Sequence, residues 1–322
     1  MPTSIILLIL ILLAGLALIV FGADWLVDGA SGIARKAGLS EFVIGLTIVG
    51  FGTSCPELVV SLNGVLAGSS DISAGNVIGS NIFNTLLILG LTALISPIAI
   101  TRENKKRDIP MTIVVTVLFI VCGMSRTLFG LGANDGLSRI EAAVFLILFI
   151  LYIYYCFKMG KAEENEEGGR QLSVAAGIGL SLAGIAGLVA GGHFFVNSAM
   201  DLARRLGVSE KFIAITILAG GTSLPELATC VVAAAKKKGQ LALGNILGSN
   251  IFNILLILGC SAMVHPLHFT GINLVDMGVL LLSALLVLTS TFTFRKDFLD
   301  RSDASVMLLC EIAYLIWLII KL

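Results

Sequence analysis

Uninterrupted apolar runs of about twenty residues, the length at which an α-helix crosses a bilayer, recur along the whole of this 322-residue chain. Inside hydrocarbon every backbone N–H and C=O must be satisfied within the protein, which leaves helices and closed barrels as the only spanning structures. A barrel would show segments of about ten residues with alternating polarity. The runs here, such as "SIILLILILLAGLALIVFG" (4–22), are continuous instead. Charged residues make up 13% of the chain against about 25% in soluble domains, and mean hydropathy is +1.00. The sequence predicts an all-α polytopic membrane protein.

Breaks at polar or Gly/Pro clusters predict ten transmembrane helices, over 4–23, 41–67, 75–95, 109–124, 140–157, 172–196, 211–235, 244–264, 273–294 and 304–320. The first run has no charged n-region and no small-residue cleavage site, so it is read as a retained span. Alternate loops hold Arg35/Lys36, Arg102/Lys105/Lys106/Arg107, Lys158/Lys161/Arg170, Lys236/Lys237/Lys238 and Arg295/Lys296/Arg301, 15 basic residues in all. The opposite side holds Arg126, Arg139, Arg204, Arg205, Lys211 and Lys321, six in all. The positive-inside rule then places both termini outside the cytoplasm of a multi-pass protein of the cell (inner) membrane. Net charge is zero, so no nucleic-acid partner is implied, and nothing indicates a protein partner. The six cysteines all fall in apolar segments without C-x-x-C spacing and read as small core residues.

The chain also repeats itself. A shift of 169 positions aligns Gly22–Gly90 with Gly191–Gly259 without a gap, setting "GTSCPEL" on "GTSLPEL" and "GNVIGSNIFNTLLILG" (75–90) on "GNILGSNIFNILLILG" (244–259). Each half contains five predicted spans, an odd number, so the second must enter the membrane upside down relative to the first. The expected organisation is a first five-helix repeat over 1–157, a polar cytoplasmic linker over 158–171 and a second, inverted five-helix repeat over 172–322. Inverted repeats of this kind build secondary transporters, with the site at the midplane where the halves meet.

Both motifs carry chemistry that lipid does not tolerate. Pro56 has no N–H and its ring clashes with the carbonyl four residues back, so the carbonyl of Gly52 loses its helical partner. Pro225 does the same to Gly221. Such a carbonyl must line a protein or water cavity, where it becomes a cation ligand. Glu57 supplies charge, and Thr53 and Ser54, four and three residues earlier, share its helical face. Glu226, Thr222 and Ser223 form the matching set. An ionisable residue inside the membrane is by default a functional-site hypothesis. Glu311, lacking a repeat partner, reads instead as a buried acid or a tilted-helix edge.

In the second motif Asn76, Ser80 and Asn84 form one stripe at i, i+4 and i+8, matched by Asn245, Ser249 and Asn253. Ser80, Asn84, Ser249 and Asn253 are assigned to the site, whereas Asn76 and Asn245 fit helix packing as well. Gly75, Gly79, Gly244 and Gly248 are assigned to helix packing. Four converging segments give two carboxylates with hydroxyl, amide and backbone oxygens, a hard-cation site of the kind Ca²⁺ takes. Thiolate or imidazole sets for softer metals are missing, and His193, His265 and His268 near predicted span ends read as interfacial. Neither H-E-x-x-H nor a pair of intramembrane aspartates is present, so no enzyme is expected. A channel would need an ion path, but a fixed, charge-counted site in inverted repeats favours alternating access.

The doubled "GTSxPE" and "GSNIFN" motifs resemble the α-repeats of the cation/Ca²⁺ exchanger superfamily, and among them the prokaryotic sodium/calcium exchangers. The resemblance implies a Na⁺/Ca²⁺ antiporter without cofactors, whose only ligands are the transported ions Ca²⁺ and Na⁺. It implies that Glu57 and Glu226, with the carbonyls of Thr53 and Thr222, hold Ca²⁺. Ser54, Ser80, Ser223, Ser249 and the carbonyls of Gly50 and Ala219 would take part in Na⁺ sites, and Asn84 and Asn253 would be central polar ligands. It further implies three Na⁺ per Ca²⁺. Some members carry aspartate where this chain has Asn84 or Asn253, which weakens a K⁺-dependent alternative. The "GNAxE" form of proton/Ca²⁺ exchangers is absent, although protonation of Glu57 or Glu226 keeps H⁺/Ca²⁺ exchange as the other alternative.

Overall fold

The structure, a computed structural model, describes residues 5–132, 134–159, 172–207 and 219–321. Residues 160–171 of the expected linker and 211–218 of the seventh predicted span lie outside the described residues. Helices occupy nearly all the rest: α1 (Ile5–Ala37), α2 (Glu41–Thr53), α3 (Cys55–Leu66), α4 (Ser70–Ile95), α5 (Ile109–Gly123), α6 (Ser125–Phe129), α7 (Arg139–Met159) and α8 (Val174–Arg205). They continue as α9 (Ala219–Gly221), α10 (Leu224–Ala235), α11 (Gly239–Val264), α12 (Leu274–Ser290) and α13 (Arg301–Lys321). Six are individually long and apolar enough to cross a membrane, and the α2–α3 pair, bent by 44°, adds a seventh.

The break between α2 and α3 falls at Ser54, two residues before Pro56, and the break between α9 and α10 spans Thr222 and Ser223 before Pro225. In each case proline sits in the first turn of the following helix, where its missing N–H costs nothing. The sequence placed these breaks correctly, but it did not foresee the π-helical turns at Gly45–Val49, Asn84–Leu89, Asn104–Asp108 and Asn253–Leu258. Two of them begin at the paired asparagines Asn84 and Asn253. Such turns concentrate at functional sites.

α1 and α8 depart most from the predicted limits. They run 33 and 32 residues, about 50 Å at 1.5 Å per residue, well beyond the expected ends at 23 and 196. Asp24, Asp28, Arg35 and Lys36 stay within α1 because polar side chains that reach water or an ion pair do not interrupt a helix. The two helices are antiparallel and joined by glycines a heptad apart. A Cβ on Gly15 would lie 2.8 Å from the Phe195 backbone nitrogen, one on Gly22 2.7 Å from that of Leu188, and one on Gly29 2.7 Å from the Gly177 carbonyl. Close backbone approach through small residues is how helices associate where lipid removes the hydrophobic drive.

The centre of the protein is α11, 94% buried along its most apolar stretch, compared with 22% for α1. Gly244 and Gly248 of α11 leave room only for the carbonyls of Phe42 and Leu46 in α2, as the packing assignment requires. For Gly75 and Gly79 of α4 the corresponding partners, offset by 169, would be within 211–218, outside the described residues. Two short antiparallel ribbons link early to late chain: β1 (Ile98–Ala99) with β4 (Phe298–Leu299), and β2 (Gly136–Leu137) with β3 (Leu267–His268).

Candidate ion site

Glu57 lies in the first turn of α3 and Glu226 in the first turn of α10, each just after its proline. Both are 0% exposed. The hydroxyls before the prolines cross over: Ser54 donates to Glu226 Oε1 at 3.1 Å, and Ser223 donates to Glu57 Oε1 at 3.2 Å. Each carboxylate therefore receives a hydroxyl from the other half of the chain. Ser249 of α11 adds weaker contacts at 3.4 Å to Glu226 Oε1 and to the Gly50 carbonyl. Thr53 donates to Val49 O at 3.1 Å and to Asn245 Oδ1 at 3.2 Å. Ser80 is buried on α4 (4% exposed). Ala219 lies in α9, and Thr222 lies in the turn after it.

α4 and α11 also meet through four amides. Asn253 Nδ2 donates to Asn81 Oδ1 at 2.8 Å, and Asn84 Nδ2 to Asn250 Oδ1 at 3.4 Å, which are the same bond under the 169-residue shift. Asn81 also donates to the Asn250 carbonyl at 3.1 Å, and Asn250 to Thr85 Oγ1 at 2.7 Å. The stripe argument singled out Asn84 and Asn253 but missed Asn81 and Asn250. They lie one residue off the stripe, and the signal that could have found them is an amide kept at matched positions in an otherwise apolar segment.

The bonds the amides make fix what they leave over. Asn84 and Asn253 spend their N–H groups on the opposite amide, so their Oδ1 atoms are freed, and both are buried without a hydrogen-bond donor. Glu57 Oε2 and Glu226 Oε2 are in the same position. A buried oxygen without a donor costs about 1–3 kcal/mol, more when charged. Four of them, in two symmetry-matched pairs, form an acceptor-only set that suits a cation without its hydration shell. Hydroxyls that donate to carboxylates keep two lone pairs each, so Ser54 and Ser223 extend the set. Asn76 and Asn245 serve as braces: Asn76 donates to the Glu57 carbonyl at 3.1 Å and to Ser61 at 3.0 Å, and Asn245 donates to the Cys230 sulfur, the repeat mate of Ser61, at 3.3 Å.

Among the remaining candidates, Glu311 is buried on α13 (2% exposed). His265 turns to the carbonyl of Pro266 and His268 is in β3, at the ends of elements as expected. His193 is not at a helix end, because α8 continues to Arg205. It lines a cavity of about 330 Å³ together with Cys55, Asn197 and Thr222. Among the described residues no three His, Cys, Asp or Glu side chains cluster as a metal centre.

The sodium/calcium exchanger protein family matches residues 7–158 and 176–320. The chain belongs to the sodium/calcium exchanger family. The exchanger is 34% identical over 340 aligned positions to the sodium/calcium exchanger MaX1 of Methanosarcina acetivorans, covering 95% of this chain and 97% of that one. It is 35% identical over 273 positions to the inner membrane protein YrbG of Escherichia coli, covering 80% and 79%. Its fold is that of the sodium-calcium exchanger NCX_Mj: against the structure soaked with zero Na⁺ and Ca²⁺ the TM-score is 0.85, at 34% identity, over 98% of this chain and 100% of that one. With that relationship and its long apolar helices, the exchanger is a multi-pass integral membrane protein.

Proposed function

We propose that the exchanger moves Na⁺ against Ca²⁺ by alternating access, using one site at the midplane of two inverted five-helix halves. Ten transmembrane helices are divided into 1–157 and 172–322, with 158–171 as a cytoplasmic linker and both termini outside the cytoplasm of the inner membrane. The observation that carries the reading is the buried set of donor-free oxygens, Glu57 Oε2, Glu226 Oε2, Asn84 Oδ1 and Asn253 Oδ1. Two carboxylates with neutral oxygens match a hard divalent ion that takes six to eight oxygen ligands.

In this reading Glu57 and Glu226 hold Ca²⁺ with the carbonyls of Thr53 and Thr222. Ser54, Ser80, Ser223 and Ser249, with the carbonyls of Gly50 and Ala219, serve Na⁺, and Asn84 and Asn253 are shared. Because each carboxylate takes a hydroxyl from the opposite half, a relative movement of the halves changes both ligand sets together. That makes binding and conformation one event, and three Na⁺ replace one Ca²⁺ in each cycle. The test is ⁴⁵Ca²⁺ uptake into proteoliposomes loaded with Na⁺ and diluted into Na⁺-free medium at constant pH. Uptake should follow the Na⁺ gradient and need no K⁺; uptake that ignores Na⁺ and follows a proton gradient would defeat the reading.

A further inference from the structure

The two halves of the exchanger match in sequence, but their clefts differ. On one side α8 and α3 scarcely touch, and the cavity of about 330 Å³ opens between them, with Cys55, Pro56, His193 and Asn197 in its wall. The 169-residue shift maps this cleft onto the one between α1 and α10, where the two helices are in contact. There Val27 is 0% exposed, whereas its repeat mate Val196, in the wall of the cavity, is half-buried.

What differs chemically is one lysine. Lys236, at the end of α10, places its ammonium 2.7 Å from Asp24 Oδ1 and 2.6 Å from Asp28 Oδ1 of α1. The same three positions in the other half are Ala67, His193 and Asn197. His193 and Asn197 contact each other at 3.0 Å, and Ala67 offers no charge to α8. Burial works against the Lys236 charge, but Asp24 and Asp28 hold its pKa above the ordinary lysine value, so the pair persists through neutral pH. Lys238, two residues on, reaches Glu41 of α2 at 3.4 Å and ties the same loop to the same half.

We propose that Lys236, with Asp24 and Asp28, is a latch that holds the α1–α10 cleft shut while the α8–α3 cleft is open, and that it must part when the exchanger reverses access. This deepens the alternating-access reading and rests on it. Sequence asymmetry between the halves then sets the resting conformation: one cleft has an ion-pair clasp and the other does not.

The latch is testable without transport. Purified protein in detergent and ion-free buffer is reacted with methyl methanethiosulfonate, and the modification rate is followed by peptide mass. Cys55 reports the open cleft, and its repeat mate, through the Leu224→Cys variant, reports the closed one. A partly exposed lysine with two partners shifts a two-state equilibrium by up to about fivefold. Adding Lys236→Gln should therefore speed labelling of the thiol in Leu224→Cys by up to about fivefold and slow that of Cys55 by a smaller factor. The charge swap Asp28→Lys with Lys236→Asp should return both rates to their starting values. Unchanged rates in Lys236→Gln, a change the swap does not reverse, or loss of a monodisperse folded protein would each overturn the latch. Because no flux is read, failure of Na⁺/Ca²⁺ coupling in the transport assay would be a separate result.

Discussion

Glu57 and Glu226 are the only acids in the repeated motifs, and each is stripped of water while one of its oxygens lacks a donor. A carboxylate so placed is a liability to folding unless a cation compensates it. Glu57→Gln and Glu226→Gln should therefore stay folded, with ion-free melting temperatures equal to or above that of the native protein, yet lose Ca²⁺ transport. The native protein should gain about 2.7 kcal/mol of stability at a Ca²⁺ concentration a hundred times Kd, a gain the variants lack. Thermal melts with and without Ca²⁺, paired with ⁴⁵Ca²⁺ uptake, check this. Near-normal uptake by either variant would remove that glutamate from the site.

At the scale of the element, the site depends on how closely α11 approaches α2. A Cβ at Gly248 would run into the Leu46 backbone carbonyl, which is fixed in a π-helical turn and cannot rotate aside. Gly248→Ala should cost about 1–3 kcal/mol, the range for overpacking, and displace Ser249 from Glu226. Gly179 on the outer face of α8 has nothing within 4 Å of the same atom, so Gly179→Ala should stabilise by about 0.5–1 kcal/mol through helix propensity alone. The opposing shifts in melting temperature are the measurement. If both substitutions stabilise, the α2–α11 contact is looser than the structure describes.

For the whole molecule, in the proposed exchange two ionised glutamates would balance one Ca²⁺ or two Na⁺, and the neutral oxygens of Ser54, Asn84 and their repeat mates would take a third Na⁺. Three Na⁺ per Ca²⁺ carries one net charge per cycle, worth about 2.3 kcal/mol per 100 mV. The equilibrium Ca²⁺ ratio should then shift roughly fiftyfold per 100 mV, and a cytoplasm-negative potential should favour Ca²⁺ extrusion when Na⁺ enters. Holding ion gradients fixed while potential is clamped with valinomycin and K⁺ tests it. A Ca²⁺ distribution indifferent to voltage would establish an electroneutral exchange instead.

By itself the sequence determined the membrane class, the doubled motifs, both proline breaks and the paired glutamates. Each of these follows from local rules: apolar run length, a missing N–H, or a charge where lipid forbids one. Tertiary structure alone decided that Ser54 serves Glu226 rather than its own neighbour Glu57, and that Asn81 and Asn250 free the oxygens of Asn84 and Asn253. It also decided that α1 and α8 continue past Asp24 and Asp201, since helix length there is set by the partner helix and not by apolar run length. The asymmetry of the two clefts was beyond the reach of sequence for the same reason. Lys236 reads as one more basic loop residue until folding brings Asp24 and Asp28, more than two hundred positions away in the chain, within 2.7 Å of it.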